Sequence, residues 1–162
     1  MTEVADEEIL FRRVRNEDEY VVFVNGKYVV TGQAFSDRTM KPSVDLASLC
    51  VELGGPAFTQ NGEDNGVARL LTRDVRNLVA MGREEFKLPL PPRMSKEVKI
   101  PHAVDVHPCP VKDVADERDN PAHAELRPSP EWCNKGAFRR LLEGLEQIAK
   151  VEILPKSLRP PL

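Results

Sequence analysis

An α+β domain with a mainly antiparallel sheet, an N-terminal β-hairpin and two or three short helices is the fold class predicted by the 162-residue sequence. Three observations carry it. In "YVVFVNGKYVV" two β-branched and aromatic runs flank Asn25-Gly26, a dipeptide that supplies the positive φ angles of a two-residue turn, so the flanking strands are antiparallel. Phe138, Leu141, Leu142, Leu145, Ile148 and Ala149 recur at helical spacing and mark one amphipathic helix. Most of the fourteen prolines follow residue 88, which divides the second half into short extended pieces.

Residues 1–8 read as an acidic, flexible N-terminus, 9–154 as a single domain with a Pro-rich connector around 88–95, and 155–162 as a tail. "ILFRRV" (9–14) is a strand with Leu10, Arg12 and Val14 on one face and Phe11, Arg13 and Arg15 on the other. Arginine on both faces excludes burial on both, so this strand belongs near an edge or beside a cleft. After the hairpin, Ser43 or Asp45 is a possible cap for a brief helix over Leu46–Val51, ended by Gly54-Gly55-Pro56. "QNGEDNG" (60–66) is a loop and "VARLL" (67–71) a strand. A helix over 72–81 follows, capped by Thr72, with Val75, Leu78 and Val79 as its apolar stripe and Gly82 as its stop.

"LPLPP" reads as polyproline-like, and "EVKIPHAVDVHP" as a strand broken at Pro101. In "DNPAHAEL" (119–126) a strand puts Ala122, Ala124 and Leu126 inward and His123 and Glu125 together on the opposite face, about 7 Å apart. The alternative is a one- to two-turn helix behind Asn120-Pro121, which is marginal at that length. Asn134 is the natural cap of the helix over 135–149, and "VEIL" (151–154) is a final short strand.

Composition bounds function. A formal charge of −3 and a pI near 5.7 give no general field for phosphate backbones, so general nucleic-acid binding is not expected. Arg12, Arg13 and Arg15 form the densest basic cluster, but Asp6, Glu7, Glu8, Glu17, Asp18 and Glu19 flank it, and ion pairing with these is the ordinary expectation. Three cysteines without framework spacing, no signal-like start and no long apolar run point to a reducing, cytoplasmic location away from membranes.

Four chemistries can be built from the residues present. Thiolate and imidazole are the ligands zinc prefers, and His102, His107, Cys109, His123 and Cys133 lie within 32 residues, but no CxxC or HxxxH pair organises them, so neither metal nor cofactor is expected. Cys109 in "HPCP" becomes nucleophilic only if His107 lowers its thiol pKa. Two of His102, His107 and His123 would suffice for acid–base cleavage of RNA without metal. Arg13, Ser43 and then His123 or Glu125 follow the order of the site groups in ADP-ribosyltransferase-like folds, an analogy of order alone.

"LFRRV", "GQAFSD", "SVDLASL", "NGVARLLTRDVRNL" and "NPAHAEL" together resemble a pattern in a group of small bacterial proteins: an Arg-Arg strand, an Ala-Phe loop, a Ser-Val-Asp step, a Gly-Val-Ala unit and a Pro-Ala-His-Ala end. The likeness spans most of residues 9–126. It implies bacterial origin and an accessory role in multi-gene defence or toxin systems, and it assigns no catalytic residue. The sequence thus favours a binding or accessory module whose partner is another protein. The rival is a small transferase or nuclease using Arg13, Ser43, His123 and Glu125, whose side chains would then converge on one concavity.

Overall fold

The computed structural model describes residues 3–85, 95–101, 104–112, 118–128 and 135–160. Its centre is a six-stranded sheet in which every pairing is antiparallel. The strands are β1 (Ile9–Val14), β4 (Ser43–Leu46), β5 (Gly66–Leu71), β8 (Val104–Pro108), β9 (His123–Pro128) and β10 (Lys150–Ile153), in the order β10-β5-β1-β4-β9-β8. Two further ladders stand apart: the hairpin β2 (Val21–Val24) with β3 (Lys27–Val30), and β6 (Val79–Glu85) with β7 (Ser95–Pro101). The hairpin turns as its sequence requires, with Asn25 at φ 51° and Gly26 at φ 80°.

Strand alternation gives the sheet two unlike faces. Leu10 and Val14, Val44 and Leu46, Ala68 and Leu70, Val104 and Val106, and Ala124 and Leu126 point to one side. There they share a core with Phe138, Leu141 and Leu145 of the helix α4 (Lys135–Ile148). The opposite face carries only a small second cluster, Phe11, Cys50, Val67 and Ala122, beneath the short helices α1 (Ala47–Cys50) and α2 (Pro56–Gln60). Beyond it, Ile9 and Leu71 stand at one end of the face, and its positions on β8 and β9 are polar.

Several expectations are corrected. Ser43 and Asp45 lie in β4 rather than at a helix cap, and α1 starts after Leu46 with no side-chain cap. Gly54-Gly55-Pro56 opens a helix as well as closing one, because proline fits the first turn where its missing N–H costs nothing. The helix predicted over 72–81 is only α3 (Thr72–Arg76). The Thr72 hydroxyl donates to the Glu8 carbonyl (2.9 Å) instead of capping, and the chain passes into β6, where Gly82 pairs with Val98 instead of stopping a helix. Strand pairing there overrides local helical preference.

Residues 3–8 are not a free arm. Val4 is 6% exposed within the main core, Asp6 and Glu7 bind Arg76 and Arg73, and the Glu8 carboxylate accepts from the Ser48 N–H. At the other end, Arg159 donates to the carbonyls of Leu154 and Asn65, which fastens the tail beside β10. Pro101 does divide the predicted strand, since β7 and β8 join different sheets. The polyproline-like stretch 88–92, Asn134, His102 and Cys133 lie outside the described residues. Among the described residues, no helix is long and apolar enough to cross a membrane.

Candidate functional site

β1 lies inside the sheet, so a cleft, not an edge, accommodates its arginines. Its ladder with β5 runs the full six residues from Ile9↔Leu71 to Val14↔Gly66, whereas its ladder with β4 consists of Leu10↔Leu46 and Phe11↔Asp45. Beyond that point the side chain of Arg12 takes over from backbone pairing. It donates to the carbonyls of Ser43 (2.9 Å), Ala34 (3.1 Å) and Ser36 (3.3 Å), joining β1, β4 and the 3₁₀ turn Gly32–Phe35. Burial pushes the Arg12 pKa below the ordinary guanidinium range, an effect that the charge of nearby Asp37 opposes. The turn is itself fixed to α4, where the Gly32 N–H donates to Glu146 Oε1 (3.0 Å). A Cβ at Gly32 would stand 2.8 Å from the Leu142 carbonyl oxygen, so only glycine lets the backbone approach so closely.

A concavity of about 640 Å³ opens where β1 and β4 part. Five arginines line it, Arg12, Arg13, Arg15, Arg38 and Arg118, against two aspartates, Asp37 and Asp45, so the local charge is opposite in sign to that of the whole chain. Arg12 is engaged with carbonyls, and Arg118 lies over the Phe58 ring (3.8 Å to its centroid) while donating to the Phe58 carbonyl. Arg13, Arg15 and Arg38 form no ion pair among the described residues. Three of the six acids expected to neutralise this cluster are bonded elsewhere, Asp6 to Arg76, Glu7 to Arg73 and Glu8 to α1, and Glu17, Asp18 and Glu19 are exposed.

The opening of "DNPAHAEL" is the far wall. β9 is the strand reading, with Ala122, Ala124 and Leu126 buried and His123 and Glu125 on the polar face. Register places Asp45 opposite His123 and Ser43 opposite Glu125. His123 Nδ1 stands 2.9 Å from the Cys109 carbonyl oxygen, which can only accept. With Nδ1 donating to that carbonyl, Nε2 is left as the acceptor nitrogen of the ring. Asp45 is buried, accepting from Thr59 Oγ1 (2.7 Å) and Asn120 Nδ2 (2.9 Å), while Asn120 Oδ1 accepts from the Ala122 N–H (3.0 Å).

Of the predicted site residues, Arg13, Ser43 and His123 line this one concavity and Glu125 does not. Glu125 belongs to a neighbouring relay, where its Oε1 accepts from Arg127 (2.7 Å) and from the Cys109 thiol (3.4 Å). The Arg127 hydrogen bond holds the Glu125 carboxyl below the usual range. Burial, reinforced by Glu125, pushes the Cys109 thiol up to about 11, the wrong direction for a nucleophile. Its imidazole neighbour is His123, at 3.1 Å, rather than His107 two residues earlier in the chain, which faces Glu125.

Of the weak metal candidates, only Cys109 and His123 come together. Cys133 is outside the described residues, and among those described no group of three or more His, Cys, Asp or Glu side chains is disposed to hold a metal. Sequence reasoning missed Arg38, Asp45, Thr59, Arg118 and Asn120. Asp45 alone had a signal, an acid between apolar neighbours in "SVDL" that suits a strand position better than a cap. Comparison of the chain with protein-family models, curated proteins and solved structures finds no match.

Proposed function

We propose that the cleft between β1 and β4 binds a small phosphorylated or similarly polyanionic ligand. The observation that carries this reading is that Arg13, Arg15 and Arg38 line one concavity and form no ion pair with a carboxylate among the described residues. All three are solvent-exposed around the recess, and an anion with several oxygens can meet them through charge-assisted hydrogen bonds. The volume suits a ligand of nucleotide or sugar-phosphate size, since small-molecule pockets span roughly 300–1,000 Å³. Extended nucleic acid is a poorer occupant, because the basic character is confined to the recess and the chain as a whole is acidic. The transferase or nuclease alternative uses the same cleft without Glu125, with His123 Nε2 and the Ser43 hydroxyl as the groups available to a bound phosphate.

Thermal denaturation with pyrophosphate tests the reading. At a hundredfold excess over Kd the ligand contributes about 2.7 kcal/mol, which raises Tm by roughly 5–10 °C in a chain of this size. Spermine should give no rise. Equal responses to both ions would remove the basis for an anion site.

A second reading, a module that docks on another protein, is favoured by the hairpin tip. Phe23 (61%), Val24 (45%) and Tyr28 (40%) are exposed there, with the two rings 4.9 Å apart. Replacing Phe23 and Tyr28 with serine should leave melting unchanged and abolish the biological activity of the gene if the tip is the docking element. Retained activity would count against it.

A further inference from the structure

Asp45 does not fit a site made only for phosphate. It is 6% exposed and lines the arginine cleft, where a carboxylate would repel an anion. A carboxylate offers about four acceptor positions. Two are filled, by Thr59 Oγ1 and Asn120 Nδ2, and both donors are neutral and themselves buried, at 4% and 9% exposure. Among the described residues no cation pairs with Asp45, although a buried carboxylate is ordinarily offset by one. The recess therefore combines anion-seeking arginines with a rigidly held carboxylate that still has acceptor capacity.

The spacing gives this pairing a ligand. Phe11 is opposite Asp45, and Arg13 lies two residues further along β1, so the two backbone positions are about 7 Å apart along the strand direction. Asp45 and the arginines line one recess, which a pentose carrying a phosphate on its terminal carbon can span from ring hydroxyls to phosphate. Building on the anion-site reading, we infer that the ligand is a phosphate ester of a polyhydroxylated carbon skeleton. Its phosphate sits on Arg13, Arg15 and Arg38, and its hydroxyl groups donate to Asp45. His123, opposite Asp45 in the ladder, stands beside the same hydroxyls. A free sugar phosphate and the ribose-phosphate part of a nucleotide share this chemistry.

Calorimetric titration with three phosphates tests the inference: ribose 5-phosphate, tetrahydrofurfuryl phosphate, which keeps ring and phosphate but has no ring hydroxyl, and adenosine 5′-monophosphate. The intact protein should bind ribose 5-phosphate at least tenfold more tightly than tetrahydrofurfuryl phosphate. Asp45→Asn should erase that difference while leaving tetrahydrofurfuryl phosphate affinity within twofold, because Asn can still accept from Asn120 and donate to Thr59. Adenosine monophosphate binding at least as tightly as ribose 5-phosphate assigns the site to nucleotides, and weaker binding assigns it to sugar phosphates. Equal affinity of the intact protein for the two ring phosphates overturns the inference but keeps the anion site, and this comparison stands even if Asp45→Asn fails to fold. A hydroxyl preference that survives Asp45→Asn in a folded protein also overturns it. Failure of all three phosphates and of pyrophosphate to bind removes the anion site itself.

Discussion

Two groups of arginines on this small chain differ in what surrounds them. Arg76 is 18% exposed and meets Asp105 (2.8 Å), Asp6 (2.6 Å) and Glu3 (3.7 Å), binding the N-terminal segment to β8, and Arg127 is paired with Glu125 (2.7 Å). Arg13, Arg15 and Arg38 have no such partners among the described residues and share a recess. Paired arginines hold segments together and are neutralised in doing so. The unpaired set is exposed around one recess, where it remains available to an external anion. Charge composition alone does not separate them, because the whole chain is acidic and the sequence does not say which arginines its acids meet.

The contrast can be broken by substitution. Arg12 stands between the two groups, since it is satisfied by carbonyls yet frames the cleft. Arg12→Ala leaves three carbonyls without their donor and should cost about 2–3 kcal/mol in urea denaturation. Arg76→Ala comes next, at roughly 1–2 kcal/mol, a value discounted because Asp6 and Asp105 are about half exposed. Arg13→Ala and Arg38→Ala should fall within about 0.5 kcal/mol of the parent. A loss at Arg13 as large as that at Arg76 would mean that its role is structural.

Titration sharpens the same contrast. Burial disfavours the ionised form of Asp105, but the Arg76 hydrogen bond and the Val106 N–H outweigh it and hold the carboxyl below its ordinary range, as Arg127 does for Glu125. Carboxyl groups whose folded pKa is depressed contribute stability above their unfolded values and lose it as pH falls through the folded ones. Acid denaturation should therefore begin below the ordinary carboxylate range, and Arg76→Ala should move its onset to higher pH. Cys109 has the opposite sign. With its thiol pushed from 9.0 to about 11, its contribution is complete below pH 9 and declines as pH rises towards 11. At pH 8 the folded protein should carboxymethylate at Cys109 about a hundredfold more slowly than an ordinary cysteine, as site-resolved mass spectrometry would show.

Much of the fold was legible in the sequence wherever a local pattern had one physical solution. Asn25-Gly26 dictates its turn, the stripe of α4 its buried face, and Ala124 and Leu126 the inward side of β9, while Ala122, just before the strand, is buried in the second cluster instead. Misreadings fell where tertiary pairing chose between local options, as when Val79 to Glu85 joined β7 instead of extending α3. The cleft was legible only in part. Arginine on both faces of β1 called for an edge or a cleft, and Arg13, Ser43 and His123 do meet in a cleft. Asp45, Thr59 and Asn120 come from three separate segments, and nothing local in "SVDL", "PAFTQ" or "DNPAH" indicates that they share two hydrogen bonds.

The most direct test of the cleft is calorimetric titration of pyrophosphate into the parent protein, into Arg13→Ala/Arg15→Ala/Arg38→Ala, and into Arg73→Ala. Arg73 is a paired surface arginine outside the recess and serves as the control for losing a guanidinium elsewhere on the surface. Binding to the parent and to Arg73→Ala with closely similar affinity, and a loss of at least a hundredfold in the triple variant with its melting temperature retained, is the expected result. Undiminished binding by the folded triple variant would contradict the assignment of these three arginines to an anion.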